Sequence, residues 1–270
     1  MFEKQDMPPT DHQHHVRETG ILVAGPGKST KTNCWSCGDM RAAHFCQQCG
    51  KVQPPAPVDY FAFFGLPYKL NLETAMLERE FYALSRHLHP DINAIGSSQE
   101  QQWSLEQSSQ LNDAYRTLKD PISRTEYLLR LQGLHLEEQS TAATEEARRT
   151  GKAKKQVVPP DLLEQVFELN MQLEEARMNM KMGEPDRSLE LELRDTKKQL
   201  QAKYDSMVEE LHCAWNTWDG LVDRAEQGGN VLEEDRVAVR DKMLDLLNRR
   251  NYVRNLLRDV EEVLEEETRG

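Results

Sequence analysis

Nowhere in these 270 residues do about eighteen apolar side chains follow one another, the length a helix needs to cross a bilayer, so no membrane-spanning helix is expected. No targeting segment is expected at the start of the chain either. MFEKQDMPPTDHQHH has neither the basic-then-apolar order of a secretory signal nor the Arg-rich, acid-poor character of a mitochondrial presequence. A cytoplasmic protein is the simplest expectation, or one of the mitochondrial matrix if the host is eukaryotic. Positive charge is short as well. Residues 1–160 hold 18 Lys/Arg against 19 Asp/Glu, and residues 161–270 hold 16 against 27, so −11 of the net −12 lies in the second half. A surface of that sign repels nucleic acid and anionic lipid.

A phosphate-binding loop is missing too, although GILVAGPGKST invites one. Such a loop needs a glycine five positions before the Gly27-Lys28 pair; that position is Leu22, and Gly20 comes two residues too early. No strand-then-helix context follows it either, since the next feature is a cysteine knuckle. His12, His14 and His15 lie in the same polar stretch, and residues 1–32 read as a flexible tail.

What is present is helical periodicity. From Asp59 the chain shows four segments: a short aromatic one at 59–65; 72–88 with Leu77, Phe81, Leu84 and Leu88 at helical spacing; about 98–118 with Leu111, Ala114, Tyr115 and Leu118; and about 121–132, opened by Pro121. Residues 137–158 have no aliphatic period and switch from acidic to basic, as a linker does. Pro159-Pro160-Asp161 starts a long region, with Asp161 placed to cap it. Leu162, Val166, Leu169 and Leu173 give its first face, and Gly183-Glu184-Pro185-Asp186 breaks it. A second helix is expected over 187–217, with Gly220 and Gly228-Gly229-Asn230 as turns, and a last one to about 266 with Leu246, Val253, Leu256, Val260 and Leu264 inward. Three long antiparallel helices suffice for a bundle. The expected fold is all-α, divided into a tail (1–32), a cysteine module with a Pro-rich joint (33–57), a small helical domain (58–135), a linker (136–159) and a C-terminal bundle (160–268).

Cys34-Trp35-Ser36-Cys37 and Cys46-Gln47-Gln48-Cys49 are two pairs separated by eight residues, each able to offer two thiolates to one tetrahedral ion. Gly38 and Gly50 follow where a tight knuckle calls for a residue tolerant of positive φ. A closed four-sulfur shell suits structural Zn2+ best, with an iron or iron–sulfur site and a redox dithiol as rivals. Redox chemistry lacks the βαβ context that usually carries it. His44 is superfluous to a full thiolate shell. The fifth cysteine, Cys213, next but one to Trp215, is expected as a buried small hydrophobe.

The stretch RHLHPDIN, residues 86–93, joins the second and third helices of the small domain. Helix termination explains part of it: proline disfavours helix in the residue before it, and Asp91 and Asn93 form turns well. Its setting adds more, because a loop between two amphipathic helices offers an imidazole, a fixed bend and a carboxylate outside the core. No nucleophile, glycine loop or paired-carboxylate pocket accompanies His87, His89 and Asp91, so catalysis on the chain itself has little support.

DYFAFFGLP, the HPD tripeptide and QLNDAYRTLKDPISRTEYLL together resemble the J domain, and specifically the HscB (Jac-type) co-chaperones of iron–sulfur cluster biogenesis. The resemblance is strong over the J region and looser over the acidic bundle, about residues 59–266 in all. FCQQCGKVQPP before DYF is similar to the forms with an N-terminal four-cysteine knuckle.

The resemblance implies an adaptor. The J domain would dock on the nucleotide domain of a DnaK/HscA-type chaperone and promote hydrolysis of that partner's ATP through His89, Pro90 and Asp91. Asp91 would be the charged partner of a chaperone arginine, with Pro90 fixing the loop and His89 supplying a hydrogen-bonding edge. Arg79, Arg86 and His87 would form a basic docking face. Glu73, Glu78 and Glu80 dilute that face, and Ile92 stands where a lysine often follows. The bundle would bind the scaffold protein IscU through exposed apolar residues of its first helix, matched here by Leu163 and Phe167 with Glu168, and through an aromatic on the last helix, Tyr252. Glu164 departs from the apolar residue usual there. The residues themselves support this placement, since Leu163 and Phe167 fall on a face adjacent to the inward stripe and would form an exposed patch. A general J-domain co-chaperone for other clients, or a metal-binding protein acting through the knuckle, remain the alternatives.

Overall fold

The computed structural model describes residues 33–40, 43–136, 162–184 and 186–269. The expected tail with its histidines and GPGKS stretch, the linker beyond residue 136 and the Asp161 cap lie outside the described residues. Seven helices and no strand occur among the described residues: α1 (Tyr60–Phe63), α2 (Thr74–Leu88), α3 (Ser98–Lys119), α4 (Pro121–Leu131), α5 (Leu163–Met182), α6 (Arg187–Glu226) and α7 (Glu233–Arg269).

The helix starts are written in the sequence. Asp59 accepts from Ala62 N at 2.9 Å and caps α1. Ser97 and Glu100 form a full capping box on α3. Asp120 caps α4, where Pro121 occupies the first turn and forfeits no needed donor. Asp186 caps α6 through Ser188 N and Leu189 N. At the end of α5, Gly183 takes φ 74°, a left-handed cap that a side chain would strain.

α2 and α3 pack as a hairpin around Leu77, Leu88, Leu111 and Leu118, with Phe81 and Leu84 on the seam. In the bundle, α5, α6 and α7 turn Leu162, Val166, Leu169, Leu173, Leu193, Leu200, Leu211, Leu246, Val253 and Val260 inward, as their spacing requires. Register follows from cross-helix contacts: Tyr204 meets Arg250 and Lys197 meets Glu261, so α6 and α7 run antiparallel.

The sequence reading ends the second bundle helix near residue 217, with Gly220 as a turn. Instead α6 continues through Gly220 to Glu226, 40 residues. A glycine inside a helix costs about 1 kcal/mol relative to alanine. Burial of Trp215, Trp218, Leu221 and Val222 around it outweighs that cost. The extra turns matter because α5 has only 20 residues. The far half of α6 therefore projects beyond the three-helix bundle and meets the small domain.

There the two helical units share one core: Phe61, Tyr68, Leu70, Leu118 and Tyr127 belong to the same apolar cluster as Trp215, Trp218, Met243 and Leu247. Polar groups seal the junction around the 65–72 loop. Asp219, 9% exposed, accepts from Leu70 N at 2.7 Å and Asn71 N at 2.9 Å. Trp218 Nε1 donates to Tyr68 O at 2.8 Å, and Arg124 donates to Leu70 O at 2.6 Å and to Leu118 O. Lys69 pairs with Asp223.

Candidate functional site

Three features can meet partners: the loop after α2, the exposed face of α5 and the four-cysteine module. The loop is built to stand still while facing outward. His89 leaves the helix with ψ 132°, the extended conformation that Pro90 enforces on its predecessor. Asn93 then ties the loop down, its side-chain amide donating to His87 O (3.0 Å), His89 O (3.1 Å) and Ser104 Oγ (3.2 Å). Ser104, fully buried on α3, in turn donates to Leu88 O at 2.7 Å. Asp91 is held by none of these anchors. Its side chain is 89% exposed, and its backbone N–H donates to His89 Nδ1 at 3.2 Å, which leaves His89 Nε2 as the outward ring nitrogen.

On α2, Arg79 and Arg86 are exposed and seven residues apart, hence on one face. The acidic dilution noted in the sequence is smaller in space: Glu78 turns toward α3, accepting from Tyr115 Oη at 3.2 Å and lying 4.0 Å from Lys119 Nζ. His87 has a different neighbour. Its ring stacks on Phe45 of the cysteine module, centroids 3.9 Å apart and planes at 14°. Ile92 and Ile95 project from the loop, 64% and 100% exposed.

The first bundle helix has two apolar faces. Val166, Leu169, Leu173 and Ala176 are buried, whereas Leu163, Phe167, Met171, Met178 and Met182 are all more than half exposed along an adjacent stripe. Glu164 and Glu168 are exposed at its edge. Tyr252 does not join this surface. It is 5% exposed within the α5–α6–α7 core, and burial raises its phenol pKa, so the expectation that it meets a partner is corrected. Its place on α7, directly before Val253 and four residues before Leu256, puts it on the inward stripe.

The four sulfurs of Cys34, Cys37, Cys46 and Cys49 lie within 4.8 Å of one another, with Cys34–Cys49 at 3.7 Å and Cys37–Cys46 at 3.6 Å. A tetrahedral ion bound at about 2.3 Å holds its sulfurs about 3.8 Å apart, so the cage has the dimensions of such a site and not those of a disulfide. Gly38 and Gly50 take φ 76° and 74°, closing each knuckle by donating to Cys34 O and Cys46 O. The Cys34 thiol is pulled down to about 6: burial works against its thiolate, but the backbone N–H groups of Cys37 and Ser36 and the neighbouring thiols outweigh it. Cys37 is pushed up to about 12: hydrogen bonding to the Asp39 backbone works against this, but burial and the neighbouring thiols outweigh it.

His44 points away from the sulfurs, bonding Gln107 Oε1 (3.0 Å) and Phe63 O (2.8 Å) on the small domain. Cys213 is exposed, against expectation. The inward stripe of α6 runs through Leu211, Ala214, Trp215 and Trp218, and Cys213 falls outside it.

Sequence reasoning missed the sealing residues Asp219 and Arg124 and the module's docking residues Phe45, Lys51 and Glu100. Two signals were available. Asp219 is a carboxylate set among Trp215, Trp218, Leu221 and Val222, and Ser97-x-x-Glu100 is a capping-box pattern.

No model of a known protein family matches the chain. Among curated proteins it is 30% identical over 174 residues, 63% of this chain and 63% of the relative, to the "Iron-sulfur cluster co-chaperone protein HscB homolog" of Arabidopsis thaliana. It is 37% identical over 121 residues, 43% of this chain and 52% of the relative, to the "Iron-sulfur cluster co-chaperone protein HscB" of Mus musculus. The matches thus span between half and two thirds of those relatives' length. The crystal structure of human co-chaperone protein HscB superposes with a TM-score of 0.52 at 24% identity, covering 85% of this chain and 97% of that one, and shows the same all-α fold. The relatives are HscB co-chaperones, in agreement with the resemblance read from the J region.

Proposed function

We propose that this protein is a J-type co-chaperone that activates the ATPase of a DnaK/HscA-type chaperone and delivers to it an IscU-type scaffold during iron–sulfur cluster assembly. The observation that carries the reading is the loop after α2, immobilised by Asn93 and Ser104 yet presenting to solvent an Asp91 carboxylate whose one near charged group among the described residues is the His89 ring of the same loop, 3.7 Å away. A rigid loop loses little entropy on docking, so more of its contact energy appears as affinity. Asp91 would meet an arginine of the chaperone, His89 Nε2 would offer a hydrogen-bonding edge, Pro90 would fix the bend, and Arg79 and Arg86 would face an acidic surface. His87, stacked on Phe45, has a smaller direct share. Bond breaking occurs on the chaperone; this chain supplies docking and orientation.

The stripe of Leu163 and Phe167, with Glu168 at its edge, would hold the scaffold. Its continuation through Met171, Met178 and Met182 supports a second reading, a broader client range, because thioether side chains repack around varied surfaces. For the cysteine cage we propose structural Zn2+, which suits a closed four-sulfur shell. Such a site would be colourless, whereas iron would colour the protein. No helix among the described residues is long and apolar enough to cross a membrane. The cytoplasm, or the mitochondrial matrix in a eukaryote, is the proposed compartment.

The test is a steady-state ATPase assay of a DnaK-type chaperone with this protein, with and without IscU. Stimulation by the protein alone, raised further by IscU but not by an unfolded peptide, is expected. Equal enhancement by the unfolded peptide would favour the broader client range, and no stimulation at all would contradict both readings.

A further inference from the structure

The four-cysteine module grips both ends of the HPD loop. At the entry, Phe45 stacks on His87 in the last turn of α2. At the exit, Lys51 Nζ lies 2.6 Å from Glu100 Oε1. The other carboxylate oxygen, Glu100 Oε2, accepts from Ser97 N at 2.9 Å and Ser97 Oγ at 3.0 Å and so closes the cap of α3. Both gripping residues belong to the second knuckle: Phe45 directly precedes Cys46, Lys51 directly follows Gly50, and Cys46 N donates to Lys51 O at 2.9 Å.

The module is also seated firmly. Trp35 meets Trp103 edge to face at 5.8 Å, and Gln107 Nε2 donates to Gln53 O at 2.6 Å. Among its described residues, by contrast, the apolar cluster of its own is Cys34 and Cys46, while Val52, 1% exposed, packs into the small domain with Phe63, Leu88 and Leu111. A unit of that size gains little shape from apolar burial of its own, so a bound metal would supply much of its folding free energy.

We propose that Phe45 and Lys51 are positioning residues for the HPD loop, and that metal in the cysteine cage fixes the loop through them. The geometry gives the coupling a continuous route. Metal fixes the second knuckle; the knuckle fixes the last turn of α2 and the cap of α3; and the loop between those two points loses its freedom to open. The consequence for chaperone activation rests on the docking role proposed above, while the coupling itself does not.

Amide hydrogen exchange of the full chain tests it, before and after stripping metal with EDTA, with metal content measured in each state. The reporters are the amides of Ile92, Asn93, Gly96 and Gln101, which donate to His89 O, Pro90 O, Asn93 O and Ser97 O. Stripping is expected to speed their exchange by about fivefold, the effect of losing a helix cap, with Leu70 and Asn71 at the bundle junction unchanged. The Phe45→Ala, Lys51→Ala double variant should give the same local acceleration with its metal retained. Unchanged reporters in either the stripped protein or the variant would overturn the proposal. So would equal loosening at Leu70 and Asn71, which would make the module a general stabiliser. A parallel ATPase assay separates the two ideas: if wild-type protein fails to stimulate, the docking role falls while the exchange result stands.

Discussion

At the scale of single residues, proline and aspartate end α2 as their chemistry dictates, and the rest of the loop's character comes from Asn93. One amide reaching three acceptors converts a turn into a fixed projection. That residue was legible only as a turn former, since its partner Ser104 sits a helix away. The same limit explains Cys213 and Tyr252. Helical phase places each to within one position, and a shift of one position, about 100°, separates surface from core. Gly220 offers a clean test of the continuous α6. A Cβ built there meets nothing within 4 Å, so Gly220→Ala is expected to stabilise the protein by about 0.5–1 kcal/mol in chemical denaturation, the interior helix propensity difference. A loss of stability would mean that the backbone at this point needs glycine.

At the scale of elements, the apolar stripes were readable almost throughout, because amphipathic period depends on nearest neighbours along the chain. Leu162, Val166, Leu169 and Leu173 are inward as their spacing requires, and Leu163 and Phe167 are outward, 59% and 67% exposed. The length of α6 was hidden, because what carries the helix past Gly220 is contact with residues nearly 150 positions earlier, such as Trp218 with Tyr68. The exposed stripe of α5 yields a prediction of its own. Leu163→Ala with Phe167→Ala removes surface that is already in water, so helicity and melting temperature should stay within the small changes typical of surface substitutions. Binding to IscU, measured by calorimetry, should weaken at least tenfold, as expected for truncating two apolar anchors. Unchanged affinity would move the scaffold elsewhere.

At the scale of the molecule, the small domain and the bundle act as one body, joined by a shared core and by Asp219 and Trp218, which hold the 65–72 loop that Arg124 braces from within the small domain. Two separate helical units were legible in the sequence; their fusion was not, since a buried carboxylate and guanidinium look like surface charge until their partners are known. Asp219→Ala strands the buried Leu70 N–H and removes one of the two carboxylates, the other being Asp120, whose charge offsets that of the Arg124 guanidinium, 3% exposed. It is expected to cost about 3 kcal/mol and to split one unfolding transition into two. A single transition with unchanged midpoint would show that the apolar contact alone joins the units. Rigid fusion also means that a scaffold held on α5 and a chaperone held at the HPD loop would keep a fixed relation. The chaperone contact proposed here is that loop. The most direct measurement is the stimulated ATPase rate of a DnaK-type chaperone with Asp91→Ala, whose side chain is 89% exposed and touches only the exposed His89 ring of its own loop. Near-complete loss of stimulation with circular dichroism unchanged is the predicted result; stimulation equal to that of the wild type would contradict it.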